Sequence, residues 1–539
     1  MAKHQHFLGY DQINSLLFEP ESDVDDNLEV ADISDDEELY VAELEESVLE
    51  EDESAVDTKV EDDDDDEGPI ASVFTTTTLP SALNSHALPP QEERSTKRRG
   101  ELQPARGAPI NRIEEDMVQG RDGTLWHKEP NPALPPMFTP RIEPGGPTSS
   151  VSSARRVVDI FSLFLDDEIL QEIVVHSNVR LALLRSRYHH NGNADLRDID
   201  VRELKGFIGI LVMSAIRNDN HTTTKDMWDP MEGNPLYRCT MSEHRFALLM
   251  RVLRFDDSTT RAERWKDRLA PIRKVWDHVM ANCRRLYSPG PHLTVDKQLV
   301  AFRGRCPFKM YIPNKPAKYG IKLVLTCDVD THYMCNAIPY LGKDTVEVPR
   351  GLTLGEVFTM NPVAPFHRRG RTVTTDNFFT SIPLALALER EGVYLCGTLR
   401  QKPYVPKQIS EKVLPIKDSV AVFNYEHNLT LQCQQVNRTK KVMLLNSLHH
   451  NPSEVEKRKT DIQMFYNLTK RAVDIFDQMW ATSNCIRKTR RWPLCLFYGI
   501  LNIVMVNSYI LYTSMPFSKS MPRRTFLKDI VFDLCAPQV

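Results

Sequence analysis

Residues 293–322 read LTVDKQLVAFRGRCPFKMYIPNKPAKYGIK, and this stretch joins a strand pattern to an unusual set of charges. Its first part alternates as a β-strand does, which places Asp296 on one face with Thr294 and Gln298, and Lys297 on the other. A run of bases without an acid follows: Arg303, Arg305, Lys309, Lys315, Lys318 and Lys322. Two interpretations stay open, a phosphate-binding surface beside a carboxylate and a solvated basic hairpin.

The charge of the whole chain is divided unevenly. Residues 1–67 hold 27 of the 74 acids but two of the 67 bases, which gives −25, whereas the remainder, with 65 bases and 47 acids, carries +18. A basic body behind an acidic tail is typical of proteins that bind nucleic acid. A solvated basic surface with a solubilising tail would have the same composition.

The cysteines and apolar runs indicate the compartment. The ten cysteines include no C-x-x-C pair, so the sequence predicts no zinc ribbon or redox dithiol. The N-terminus shows no apolar signal segment, and GFIGILVMSAI (206–216) is too short to span a bilayer. The more apolar stretch 493–514 contains Asn502 and Asn507, which favour a buried core helix. We expect a reduced, intracellular chain that does not enter a membrane.

The first 150 residues differ in composition from the rest. Residues 1–68 are too acidic and too poor in apolar side chains to order themselves, so a disordered acidic tail is predicted. Residues 69–150 hold 13 of the 35 prolines and are interpreted as a linker. Within it, STKRRG (95–100) is either a nuclear signal or a linker charge.

The ordered part begins with helical periodicity and continues with strands. Helices are predicted over 155–184, 198–217 with Asp200 as N-cap, and 241–255. A fourth helix is marked by one apolar stripe: Ile272, Trp276, Val279, Cys283 and Leu286. After SPGPH (288–292), strands are predicted over 293–302, 319–329, 332–342, 371–378 and 393–400, with a helix at 381–392. Helices return over 464–480 and 493–514.

Three further acids stand where the backbone would present them. Asp376 ends an apolar strand just before a helix, and Asp474 and Asp477 are three residues apart on a predicted helix. Together with Asp296 they could hold two Mg²⁺ ions roughly 3.5–4 Å apart for phosphodiester chemistry. Taken singly, each has an ordinary alternative as a satisfied strand acid, a turn acid or a solvated helix acid. Asp328 and Asp330 are better interpreted as hairpin-turn acids.

Several blocks together resemble the piggyBac-type transposases. They are 293–322, TTDNFFTSIPLA (374–385), GTLR (397–400), VDIFDQM (473–479) and RKTRRWP (487–493), in the family's order and at similar spacing. The resemblance covers about 155–525. It implies an α/β ribonuclease-H-like catalytic core with an insertion domain, flanked by a mostly helical dimerisation and DNA-binding domain. It also implies Mg²⁺-dependent cut-and-paste transposition at TTAA sites through hairpin intermediates, on double-stranded DNA, by a nuclear homodimer.

The resemblance also assigns residues. Asp296, Asp376 and Asp474 match the three catalytic, metal-binding acids, and Asp477 matches a neighbouring acid tied to activity. Arg400 matches a DNA-contacting arginine. In the last block, Arg490 and Arg491 are expected to bind DNA, and Trp492 either lies near the active site or packs against Pro493. The six bases of 303–322 would neutralise phosphates.

Three departures from the family pattern follow. Lys297 stands where the family usually has Glu, which is expected to disturb a contact behind the metal ligands. Arg471-Ala472 replaces a Gly-Gly pair and narrows backbone freedom there. The family's C-terminal cysteine-rich zinc domain is not seen in the sequence, where Cys535 is the last cysteine.

The implied organisation has seven segments. They are the tail (1–68), the linker (69–150), a first helical part (151–290), the core (291–400), the insertion (401–462), the last catalytic helix (463–485) and a second helical part (486–539). Two functions remain open: a transposase-type DNA strand transferase, and a domesticated, non-catalytic DNA or chromatin binder. A generic metal nuclease is an alternative within the first class.

Overall fold

The computed structural model describes residues 116–138, 142–185, 196–313, 315–342, 345–367, 369–456 and 459–538. The predicted acidic tail, the basic cluster at 95–100 and the part of the predicted linker before residue 116 lie outside these residues.

The described residues contain fourteen α-helices, most of them between residues 157 and 286 and after residue 460. They are α1 (Val157–Ser162), α2 (Asp167–Arg185), α3 (Val201–Arg217), α4 (Thr224–Met227), α5 (Pro235–Thr240), α6 (Glu243–Val252), α7 (Arg273–Leu286), α8 (Leu354–Val363), α9 (Ile382–Arg390), α10 (Lys407–Ser410), α11 (Asp461–Thr469), α12 (Ala472–Thr482), α13 (Trp492–Thr513) and α14 (Arg523–Cys535).

The strands occupy mainly the middle of the chain, and the described residues contain fifteen. They are β1 (Met117–Gln119), β2 (Leu125–His127), β3 (Gly146–Pro147), β4 (Tyr287–Ser288), β5 (His292–Ala301), β6 (Lys309–Tyr311), β7 (Tyr319–Asp328), β8 (Met334–Pro339), β9 (Arg371–Thr375), β10 (Val393–Leu399), β11 (Ser419–Asn424), β12 (Leu429–Gln435), β13 (Lys441–Asn446), β14 (Glu454–Glu456) and β15 (Lys459–Thr460).

Eleven of these strands form one mixed sheet, in the order β1-β2-β11-β12-β13-β10-β9-β5-β7-β6, with β8 also paired to β7. At its centre, β9 runs parallel to both β5 and β10, whereas β7 is antiparallel to β5 and to β8. The central order β8-β7-β5-β9-β10, with helices packed against it, is consistent with the ribonuclease-H-like core that the resemblance implies. The quoted stretch supplies β5 and the start of β7.

Most predicted elements form close to their predicted positions. The Asp200 side chain accepts a hydrogen bond from the Glu203 N–H and so caps α3, as its sequence predicts. The apolar stripe from Ile272 to Leu286 is buried along α7. The helices predicted over 155–184 and 464–480 each form two helices, and the second pair, α11 and α12, is separated by Lys470 and Arg471.

The linker prediction is wrong for the residues after 115. Strands β1 and β2 join the large sheet, because β2 pairs with β11 through His127 and Phe423. Trp126 is fully buried and its indole N–H donates to the Tyr404 carbonyl at 2.9 Å. The high proline count predicted a linker and gave no sign that Trp126 is buried. The burial of this aromatic side chain is favourable enough to order the segment around it.

The segment 401–462 extends the core sheet directly. Its strands β11, β12 and β13 form an antiparallel meander, and β13 pairs with β10 from Cys396–Asn446 to Leu399–Met443. The predicted insertion thus shares a continuous hydrogen-bond ladder with the core.

The helical segments before and after the sheet pack together. Helix α14 lies against α3, where a Cβ at Gly209 would collide with the Cys535 sulfur. The buried Arg487 side chain donates to the carbonyls of Asp219 (3.0 Å) and Thr222 (2.7 Å). A helical body built from both sides of the core, as the resemblance implies, is therefore present.

Helix α13 joins this helical body to the sheet. It is long and apolar enough to cross a membrane, but 94% of its most apolar window is buried inside the protein. Asn502 accepts from the Cys485 N–H at 3.0 Å, and Asn507 accepts from Met334 N–H and donates to its carbonyl. These bonds satisfy both buried amides, so α13 is the core helix that the two asparagines predict.

Candidate active site

The first two acids are placed by neighbouring parallel strands. Strands β5 and β9 pair in the register Val295–Thr375, so the next residues, Asp296 and Asp376, stand side by side where β9 ends. The sequence predicted Asp296 within a strand and Asp376 at the end of another strand, and the register brings the two acids together.

Hydrogen bonds among three threonines, Thr294, Thr374 and Thr469, position the helices next to the third acid, Asp474. The hydroxyl of Thr294 donates to the Thr469 carbonyl, and the hydroxyl of Thr374 donates to the Thr469 hydroxyl at 2.7 Å. Thr469 is the last residue of α11, so these hydrogen bonds hold the end of α11 against β5 and β9. Helix α12 follows at once and carries Asp474, which is exposed, in its first turn.

Asp296 carries a charge that its surroundings only partly compensate. It is half-buried on β5, and its Oδ1 accepts the N–H of Lys297 at 2.7 Å. Burial raises the pKa of Asp296 to about 6, and the neighbouring charge of Asp376 adds to the rise. The positive charges of Lys315 and Lys297 oppose this rise.

Asp477 shows the same imbalance one helical turn after Asp474. Its Oδ1 accepts a hydrogen bond from Gln298 Nε2 at 2.7 Å, which links α12 to β5. Burial raises the pKa of Asp477 to about 7, and the charges of Asp296 and Asp474 contribute against the effect of Lys315. These acids therefore repel one another across the gap between β5 and α12.

Asp376 is held differently from the others. Its Oδ1 accepts the N–H of Phe378 at 3.0 Å, and its Oδ2 lies 3.8 Å from Lys297 Nζ. Strand alternation predicts Lys297 behind the site and away from the acids. Its long side chain nevertheless reaches Asp376, because β9 ends at Thr375 and leaves that side of β5 open.

The acids fit a divalent cation in donor type and in charge. Carboxylate oxygens are the hard ligands that Mg²⁺ prefers. The pKa values of Asp296 and Asp477 are raised first by burial and then by neighbouring acids, and a bound cation would stabilise their charged forms. Within the described residues, however, no three His, Cys, Asp or Glu side chains come close enough together to hold a metal ion as they stand.

Arg471 and Ala472, which stand where the family has Gly-Gly, do not distort the start of α12. Arg471 has φ −89° and ψ −7°, in the right-handed region that any residue adopts, and Ala472 is buried. No positive φ is required there, so the expected loss of backbone freedom carries no strain at this position.

The basic run after Asp296 divides into exposed and engaged side chains. Arg303, Arg305 and Lys318 are exposed, whereas the ammonium of Lys309 donates to the Gly304 carbonyl at 3.2 Å. Lys315 donates to the Lys297 carbonyl at 3.2 Å. It also counteracts the charges of the acids, so it faces the carboxylates rather than open solvent.

Lys322 does not lie on a surface that phosphates can reach freely. It is 7% exposed, and its Nζ lies 4.7 Å from the ring centroid of Phe378 and 5.3 Å from that of Tyr340. The expectation of a phosphate contact for Lys322 is therefore replaced by cation–π packing inside the sheet face that also carries Lys297.

The bases from the last block lie beside the connection that follows β5. A Cβ at Gly304 would sit 2.7 Å from the Arg490 carbonyl oxygen, so this connection packs on residue 490, whose side chain is exposed. Arg491 instead donates to the carbonyls of Met250 (2.9 Å) and Leu253 near the end of α6. Arg491 thus has a structural role at the end of that helix.

Two other predicted side chains are placed as follows. Arg400 is exposed directly after β10. Trp492 begins α13 and meets the ring of Phe308 edge-to-face, with ring centroids 4.9 Å apart. It therefore packs against the connection between β5 and β6.

Asp328 is a turn acid, as predicted, but a fully buried one. Its Oδ1 accepts the Gly290 N–H at 2.8 Å, and its Oδ2 accepts the N–H and hydroxyl of Thr331 at 3.0 and 2.8 Å. Asp330, in the same turn, is exposed. Asp328 thus organises the β7–β8 turn.

Sequence reasoning missed three participants. Gln298 orients Asp477, Thr469 fixes α11, and Phe378 packs against two ammonium groups. Gln298 could have been found, because strand alternation already places it two residues from Asp296 on the same face. The other two depend on tertiary contacts.

The chain is similar to several known proteins. A family model described as Transposase IS4 matches residues 157–509. Among solved structures, the chain is similar to a piggyBac transposase determined by cryo-EM in a synaptic complex with hairpin DNA. The two are 39% identical with a TM-score of 0.70, and the match covers 74% of this chain and 83% of that one.

Curated human proteins match more distantly. PiggyBac transposable element-derived protein 3 (Homo sapiens) is 25% identical over 291 residues, covering 52% of this chain and 46% of that protein. PiggyBac transposable element-derived protein 5 (Homo sapiens) is 22% identical over 293 residues, covering 52% and 53%. The chain spans about half the length of these curated relatives.

Proposed function

The chain belongs to the piggyBac-type transposase family, and from this premise we propose that it is a DNA strand transferase that cleaves and joins DNA at TTAA sites. The observation that carries the proposal is the pair Asp296 and Asp376, which stand side by side on parallel strands beneath the helix that bears Asp474. A set of acids with unrelieved charge is costly in a fold unless it binds a cation.

Asp296, Asp376 and Asp474 would hold Mg²⁺, with Asp477 beside them. When bound, the metal supplies activation of the attacking oxygen and stabilisation of the leaving oxygen of a phosphodiester. Gln298 holds the Asp477 carboxylate toward β5, and Lys315 lowers the repulsion among the acids.

Double-stranded DNA is the proposed partner, held near the acids by exposed bases. Arg303, Arg305 and Lys318 would neutralise phosphates, and Arg400 and Arg490 would extend this surface. The solved relative was determined in a synaptic complex with hairpin DNA, which supports a DNA substrate. A homodimer is the proposed assembly. Action on chromosomal DNA would place the protein in the nucleus.

The test is a Mg²⁺-dependent cleavage assay on DNA with TTAA-flanked ends. Substitution of Asp296, Asp376 or Asp474 by Ala should each abolish cleavage, while DNA affinity stays nearly unchanged. Because the three acids act as one unit, a double variant should be little worse than a single one. Asp330→Ala is the matched control, since Asp330 is an exposed acid in the turn between β7 and β8. Equal loss in the control would show that other carboxylates are used.

A second function, a non-catalytic DNA or chromatin binder, is favoured by one observation. Lys297 Nζ lies 3.8 Å from Asp376, where its charge competes with a metal ion. Salt-sensitive DNA binding by the parent protein without any cleavage would support this function over the first.

A further inference from the structure

The contact between Lys297 and Asp376 is partly shielded from water. The Lys297 side chain is 25% exposed and that of Asp376 is 30% exposed, so their attraction is screened less than that of a fully solvated pair. Strand alternation places Lys297 on the face of β5 opposite to Asp296, and its ammonium lies 3.8 Å from Asp376 Oδ2.

The ammonium is also held from its other side. Lys297 Nζ lies 4.7 Å from the ring centroid of Phe378, and the Phe378 N–H donates to Asp376 Oδ1 at 3.0 Å. One short turn therefore engages both carboxylate oxygens: its backbone binds Oδ1, and its aromatic ring retains the lysine that faces Oδ2.

Both oxygens of Asp376 are thus directed to partners outside the group formed by Asp296, Asp474 and Asp477. In the same structure, the described acids do not gather closely enough to hold an ion, although β5 and β9 bring two of them side by side.

We propose that Lys297 is an internal counter-cation that holds Asp376 away from the metal site and thereby lowers the affinity of the site for Mg²⁺. The inference rests on the proposed function, because it assumes that the acids bind a divalent ion. To bind one, Asp376 must leave Lys297, and the ion must then tolerate a positive charge nearby. A unit charge several ångströms from a divalent ion changes its affinity about tenfold even in a water-like dielectric.

The test is the direct binding of Mg²⁺ and Mn²⁺ to the full chain, without DNA, by titration calorimetry. Lys297→Gln should bind the ion about tenfold more tightly than the parent, and Lys297→Glu more tightly still. Lys297→Arg keeps the charge and should stay within about twofold of the parent. Lys440→Gln is the matched control, because it removes an exposed lysine from the distant β12–β13 turn, and it should change nothing.

A double-variant cycle tests whether Lys297 acts through Asp376. In an Asp376→Asn background, Lys297→Gln should lose the part of its effect on metal affinity that acts through Asp376 and keep only the direct effect of its charge on the ion. Thermal melting of every variant establishes that each is folded. Equal affinity of the parent and Lys297→Gln would overturn the inference, and if Asp296→Asn still abolished binding, the proposed metal site would stand. Failure of all variants to bind metal would overturn both.

Discussion

Asp296 and Asp328 lie on paired strands of one sheet, and the protein treats the two acids in opposite ways. Asp328 is fully buried, and its carboxylate accepts four hydrogen bonds: from the Gly290 N–H, from the N–H and hydroxyl of Thr331, and from the Tyr287 hydroxyl. Within the described residues, Asp296 accepts one hydrogen bond, from the Lys297 N–H, and burial raises its pKa to about 6. A buried acid with a full set of donors stabilises a turn, whereas one with few donors stores unfavourable charge.

The largest expected effect follows from this contrast. Asp328→Ala would leave the buried N–H groups of Gly290 and Thr331 without acceptors, and we expect the free energy of unfolding to fall by about 3 kcal/mol or more. Asp296→Ala removes an uncompensated charge and should leave stability unchanged or higher at pH 8. Thermal melting of both variants in EDTA checks this, and equal destabilisation would remove the distinction between the two acids.

A smaller effect should depend on pH. The pKa of Asp477 is raised to about 7 in the folded chain, above its ordinary value of 3.8, so the folded state binds the proton more tightly. Its contribution therefore favours folding at low pH and is lost as the pH rises from about 4 to about 7. Asp477→Asn should raise the melting temperature by a few degrees at pH 8 and hardly change it at pH 4.

The control for this experiment is Asp330→Asn, since Asp330 is exposed. Its melting temperature should follow that of the parent at both pH values. A gain for Asp477→Asn that is the same at pH 4 and pH 8 would mean that packing, rather than charge, is responsible.

The smallest effect extends the comparison to cations. Arg491 is engaged by carbonyls at the end of α6, whereas Arg303 and Arg305 are exposed. Changing both exposed arginines to Gln should leave melting unchanged and reduce the slope of log affinity for DNA against log salt by up to about 2, or about 0.9 per phosphate contact. Arg491→Gln should lower the melting temperature, and if it reduced only the salt slope, its structural assignment would fail.

Sequence patterns predicted those elements whose information is local. The alternation around Asp296, the cap at Asp200 and the stripe along α7 each depend on neighbours within a few residues, and each formed as expected. The order of blocks similar to known transposases predicted the core and the helical body built from both sides of it. Trp126 was missed because its partner, Tyr404, is 278 residues away.

The site shows the same limit at finer scale. Alternation correctly places Lys297 and Asp296 on opposite faces of β5, but it cannot show that the neighbouring strand stops at Thr375 and lets the lysine reach Asp376. Likewise, the basic run predicted a common role for Lys315 and Lys322. In the structure, Lys315 instead lies near the acids, and Lys322 packs against the rings of Tyr340 and Phe378.

The packing of α14 on α3 determines how late during synthesis the helical body can be completed. The Cys535 sulfur contacts the Gly206 carbonyl, and 329 residues of chain separate the two. The helical body that contains α3 is therefore completed only after almost the entire sheet has been synthesised. Contacts of such high sequence separation form slowly and late. We therefore expect newly made chains to expose the face of α3 that α14 covers until α14 has left the ribosome.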